Sequence, residues 1–146
     1  MSSNAYSEIN VELTQFNTLL DTYRTLLDQV RTREPTYVEL LALAGILHSF
    51  YSGFENIFKR IAMDFDNGFE KTDSWHSDLL EKMIVPTPNR SAVLSEPLKE
   101  RLQQYLGFRH VFRSAYSYNL TWSKMQDLVL ETDSSACRQG IARVHE

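Results

Sequence analysis

Leucine, phenylalanine and tyrosine recur along most of this chain at alternating steps of three and four, the spacing that stacks side chains on one face of a helix. Leu13, Phe16, Leu20, Tyr23, Leu27 and Val30 predict a first helix from about Ser7 to Arg33, with Asp21, Arg24, Asp28 and Arg31 outside. Pro35 ends it, because proline disfavours the helical state of its predecessor. Thr36, followed three residues later by Glu39, is a capping box for a second helix. Its stripe is Leu43, Leu47, Phe50, Phe54, Ile57 and Ile61, and it stops near Asn67-Gly68. Leu40, Leu41, Ala44 and Ile46 widen the apolar surface, which marks this helix as central.

A shorter helix from about Ser74 to Ile84 carries Trp75, Leu79, Leu80 and Met83, and the stretch from Val85 to Leu94, with Pro86 and Pro88, reads as a loop. Ser95 caps the next helix, where Pro97 falls early enough to be tolerated. That helix fades around Ser117 to Leu120, and Thr121 caps a last one with Trp122, Met125, Leu128 and Val129 turned inward. The pattern predicts an all-α protein, an up-and-down bundle of four to five helices. One helical domain covers 1–131 and a polar C-terminal tail covers 132–146.

Composition narrows the function. A chain of 146 residues fits one domain with a real core. Only 5 glycines and 4 prolines favour long helices over turn-rich β structure. A formal charge of −4 argues against a general nucleic-acid coat protein, though not against a local basic site. Cys137 is the single cysteine, so neither an intrachain disulfide nor a cysteine zinc cluster can form. No apolar run approaches the roughly 18 residues of a membrane span, and Met1 to Asn10 lacks an apolar signal core. A cytoplasmic protein is expected, with no membrane association.

The chemistry concentrates on the helix after Ser95. Leu98, Leu102, Tyr105, Arg109, Phe112 and Tyr116 share one face, and Arg109 interrupts an otherwise apolar stripe. A buried guanidinium costs several kcal/mol unless it is paired. Arg109 is therefore either locked to a carboxylate, for which Glu55 on the central helix is the obvious partner, or kept for an anion. Gly53, beside Glu55, allows another helix to approach closely. Arg101 and Arg113 flank Arg109 with His110 beside it, and like charges gathered together favour a phosphate. His48 and His76 also lie in helices, but no His, Asp or Glu pair repeats at a metal-ligand step, so no metal site is expected. There is no glycine-flanked serine elbow and no glycine-rich phosphate loop, so no nucleotide cofactor is expected either.

From Phe108 to Tyr116 the chain resembles the signature helix of HepT-like proteins of the HEPN superfamily, whose pattern is Arg, a polar residue, three more residues, His, any residue and Tyr. Arg109, His110 and Tyr116 match the arginine, the polar neighbour and the tyrosine. The likeness extends through Tyr51-Ser52-Gly53-Phe54-Glu55-Asn56-Ile57, Trp75-His76-Ser77-Asp78-Leu79-Leu80 and on to Leu120 and Trp122, covering about Leu40 to Leu130.

The resemblance implies a bundle of HEPN type that forms a homodimer, with the signature helices meeting at a cleft between subunits. It also implies a metal-independent endoribonuclease, the toxin of a toxin–antitoxin pair whose antitoxin is a nucleotidyltransferase that can AMPylate the motif tyrosine. Arg109 would then hold the scissile phosphate of RNA, Arg113 and Arg101 would add phosphate contacts, and Tyr116 would be the modifiable tyrosine. Ser114 stands where the family has its catalytic histidine, and a serine hydroxyl is no general base near pH 7 without help. His110, one turn away, is the candidate substitute. Two other readings stay open: a catalytically degenerate module that binds RNA, nucleotide or a partner protein without cleavage, and a helical interaction protein with no nucleic-acid role.

Overall fold

The computed structural model describes residues 3–114 and 120–132; the tail beyond Thr132 and Tyr116 lie outside that range. Among the described residues there are six helices: α1 (Ser3–Thr22), α2 (Arg24–Gln29), α3 (Tyr37–Phe65), α4 (Trp75–Lys82), α5 (Glu96–Ser114) and α6 (Trp122–Thr132). The architecture is an all-helical bundle, as the periodicity predicts.

The single helix expected over Ser7 to Arg33 begins earlier and is divided at Tyr23, whose backbone (φ −104°, ψ 16°) leaves the helical region. Thr22 Oγ1 donates to Thr18 O at 2.6 Å, and such back-bonding bends helices. The apolar stripe continues across the break, with Leu20, Leu27 and Val30 all buried, which is why periodicity alone did not show it.

The capping box at Thr36 is formed in full: Thr36 Oγ1 accepts from Glu39 N–H, and Glu39 accepts from Thr36 N–H. Arg33 reaches the same carboxylate with both terminal nitrogens, at 2.8 and 2.9 Å. These bonds, Arg33 foremost, pull the Glu39 carboxyl down to about 2.

α3 is the axis of the molecule. It is about 44 Å long at 1.5 Å per residue, and α1, α4, α5 and α6 all pack against it. At its centre Phe16 from α1 meets Phe50 and Phe54 with ring centroids 5.3 and 5.2 Å apart. Gly53 makes this possible: a Cβ there would lie 2.7 Å from Phe16 Cζ. α3 stops where Asn67 (φ 60°) and Gly68 (φ 95°) turn left-handed, and the Gly68 N–H returns to Ala62 O at 2.8 Å.

The loop between α4 and α5 is anchored by a buried charge pair. Arg90 donates Nε to Asp66 Oδ1 (3.0 Å) and Nη2 to Asp66 Oδ2 (2.7 Å). It also donates to the carbonyls of Val85, Ser91 and Lys82. This fork fixes the α4–α5 connection to the end of α3. Ser95 Oγ accepts from Leu98 N–H at 3.3 Å and so caps α5. The Tyr105 hydroxyl donates to Leu128 O at 2.8 Å, tying α5 to α6 inside the core.

Two glycines of α3 should respond oppositely to the same substitution. Gly45→Ala meets nothing within 4 Å and should raise stability by up to about 1 kcal/mol through helix propensity. Gly53→Ala gains the same propensity but drives a methyl into a ring held on both sides, and overpacking costs about 1–3 kcal/mol. Thermal unfolding followed by circular dichroism should show Tm rising for Gly45→Ala and falling by several degrees for Gly53→Ala.

Candidate functional site

α5 places Arg109 on the face that buries Leu102 and Tyr105. Phe50 packs on Tyr105 and His48 on Phe112, so α3 and α5 run in opposite directions. A long side chain in a helix leans back toward the N-terminus, and this lean carries the Arg109 guanidinium along α3 to Glu55. Nη1 donates to Glu55 Oε1 at 3.1 Å and Oε2 at 3.2 Å. The Arg109 and Glu55 side chains are 14% and 4% exposed, so the pair is shielded from water without being sealed.

The pairing is one-sided. Only Nη1 takes part in it, and Arg109 Nε is buried with no hydrogen-bond partner. An unsatisfied buried donor costs about 1–3 kcal/mol. A guanidinium retained only as an internal brace would use its fork on the carboxylate, as Arg90 does.

Glu55 also draws in α4. His76 Nδ1 lies 2.7 Å from Glu55 Oε2, and since a carboxylate only accepts, Nδ1 carries the hydrogen. The His76 ring stacks on Trp75 at 3.7 Å between centroids, and Lys59 Nζ sits 4.8 Å over the Trp75 ring. Lys59 is also 4.0 Å from Glu55 Oε1. One buried carboxylate thus meets a guanidinium, an imidazole and an ammonium. Beside it, burial first and the Glu55 charge second push the Tyr51 phenol well above its usual range, so its hydroxyl keeps its proton.

His48 stands half-buried on α3 across from the last turns of α5, its ring 5.9 Å from that of Phe112. Its Nδ1 is buried without a partner. Burial, and then the charges of Arg109 and Arg113, push its pKa below 6.5, while Glu55 pulls the other way.

The structure gathers only part of the residue set picked from the sequence. Arg109 and Glu55 meet, and Arg113 lies one turn further along α5, exposed and in its last turn. His110 is exposed on α5. Arg101 does not join them: it is ion-paired with Glu131 of α6, about 12 Å along the helix axis from Arg109. Ser114 is the last residue of α5; its side chain and Tyr116 lie outside the described residues. Sequence reasoning did not select His48 and His76. The signal for His76 was present in the Trp75-His76 segment of the resemblance, but its contact with Glu55 needs α4 docked on α3. Among the described residues no three His, Cys, Asp or Glu side chains could hold a metal ion together.

The arrangement brings an imidazole from α4 onto Glu55 and one from α3 within electrostatic reach of Arg109. A family model described as HepT-like protein matches residues 42–143, the span that contains every one of these groups. No curated protein and no solved structure matches the chain.

Glu55→Gln leaves the Arg109 charge without its counter-ion and should cost about 3 kcal/mol in chemical denaturation. In a cycle with Arg109→Gln the coupling should exceed about 1 kcal/mol; independent effects would show that the pair does not act as a unit. His48 sets an acid-side dependence. Its folded pKa lies below 6.5, the usual value, so just below that pH the unfolded chain binds more protons. Stability is then full above about 6.5 and declines as the pH drops through this window. His48→Gln should flatten that decline.

Proposed function

This chain belongs to the HepT-like protein family, and we propose that it is the toxin of a toxin–antitoxin pair, a metal-independent endoribonuclease neutralised by a nucleotidyltransferase. The observation that carries this reading is Arg109, held by a single nitrogen on Glu55, partly exposed, and left with an unsatisfied Nε. In this reading Arg109 grips the scissile phosphate and stabilises the charge that develops on it, and Arg113 adds a second phosphate contact. The ribose 2′-hydroxyl attacks the adjacent phosphorus and the 5′-oxygen leaves, a route that needs no metal. His110, Ser114 and the modifiable Tyr116 complete the signature segment. The working unit is a homodimer whose cleft is lined by this end of α5, in keeping with Val111, an apolar α5 side chain left 57% exposed.

A second reading is favoured by Ser114. General acid–base help is worth roughly a hundred- to ten-thousand-fold in rate, and without the histidine of that position the protein is a module that binds RNA, nucleotide or the antitoxin and cleaves nothing.

RNA decay with the purified protein and with Arg109→Ala separates the readings. Decay that depends on Arg109 supports the ribonuclease, and equal decay in both samples removes it. A Ser114→His variant that gains activity over an inert parent supports the degenerate module. In either reading RNA binding should weaken as salt rises, since phosphate contacts release counter-ions; binding that is flat in salt, or absent at low salt, points to an interaction protein without a nucleic-acid role.

A further inference from the structure

The ribonuclease reading lacks a base at position 114, and the fold supplies other imidazoles near Arg109. His76 is already committed, its Nδ1 on Glu55 and its ring flat against Trp75. His110 lies on the exposed side of α5, one residue round from the Arg109 stripe.

His48 differs from both. It enters from α3, and the opposed run of α3 and α5 sets it against Phe112, at the end of α5 where position 114 falls. The charged groups that act on it are Arg109 and Arg113 from α5 and Glu55 from its own helix. The residue is only half-buried, and its Nδ1 is enclosed without a partner, so any exchange with a bound ligand falls to Nε2.

We propose that His48 is the general base of this protein, supplying from the central helix the imidazole that the signature helix lacks. The inference rests on the ribonuclease reading. His48 Nε2 takes the proton of the ribose 2′-hydroxyl as the O2′–P bond forms. The P–O5′ bond breaks, giving a 2′,3′-cyclic phosphate and a 5′-oxygen that is protonated by a solvent water. The hydroxide so formed takes the proton back from His48, and the imidazole is restored. Arg109 and Arg113 serve twice: they attract the phosphate, and they disfavour the charged imidazolium, so His48 stays a neutral base at pH 7.

The test is single-turnover cleavage of a short single-stranded RNA across pH, alongside RNA binding, for the unaltered protein, His48→Gln and His48→Ala, with far-UV circular dichroism to check folding. The unaltered protein should cleave faster as pH rises, along an acid limb set by one titrating base. His48→Gln should cleave at least about a hundred-fold more slowly, lose that acid limb, and bind RNA with an unchanged Kd, because a neutral side chain contributes no phosphate contact. Added imidazole should restore part of the rate to His48→Ala. Cleavage by either variant within about three-fold of the parent, or with the parent's acid limb intact, would overturn the assignment. A parent that binds RNA through Arg109 but never cleaves it overturns this inference and the ribonuclease reading while leaving the binding module. A parent that binds no RNA removes every nucleic-acid reading.

Discussion

The bundle is organised around the need to compensate a guanidinium taken out of water. Arg109 lies in a stripe that must be buried for α5 to pack, and an unpaired charge there would cost several kcal/mol. Glu55, 4% exposed on α3, supplies the counter-charge. Because the same carboxylate also receives His76 from α4, one acidic side chain orients three helices against one another. The reciprocal dependence matters as much: Glu55 tolerates its own burial only because cations from α5 and its own helix surround it.

Most of the scaffold is satisfied without reference to this centre. Arg90 uses its whole fork on Asp66 and three carbonyls, and Tyr105 spends its hydroxyl on α6. Among the described residues, Arg109 Nε and His48 Nδ1 at this centre are enclosed and unpaired, as are Thr87 Oγ1 in the α4–α5 connection and Glu131 Oε2 on α6, each at a cost of about 1–3 kcal/mol. A well-packed α3, with Phe16 seated on Gly53, supplies the rigidity that lets such a centre persist.

Membership of the HepT-like family and the Ser114 departure meet at this centre. Arg109 of the signature helix is present and held, whereas position 114, five residues further on, is a serine and not an imidazole. From the neighbouring helix, α3 brings the His48 ring to the same end of α5, against Phe112. Burial, and after it the charges of Arg109 and Arg113, keep the pKa of that ring below its ordinary value.

Local rules suffice for much of this molecule. Thr36 and Glu39 start a helix wherever they stand in this order, since a capping box closes within four residues. A stripe at helical spacing must bury one face, which made α3 central and left Arg109 in need of a carboxylate. Gly53 beside Glu55 marked a close approach, and Phe16 takes the space its missing side chain leaves, whereas Gly45 in the same helix meets nothing within 4 Å. What lay beyond local reading was whatever depends on two elements docking. The first helix breaks at Tyr23 while its apolar period runs on, with Leu20, Leu27 and Val30 all buried. Arg101 shares a helix with Arg109 yet turns to Glu131, because α6 is nearer to it than the arginine is. His48 and His76 reach the Arg109–Glu55 centre from sites 28 residues apart in sequence. Periodicity says which way a side chain points from its own axis; only the packing of α3, α4 and α5 decides what it points at.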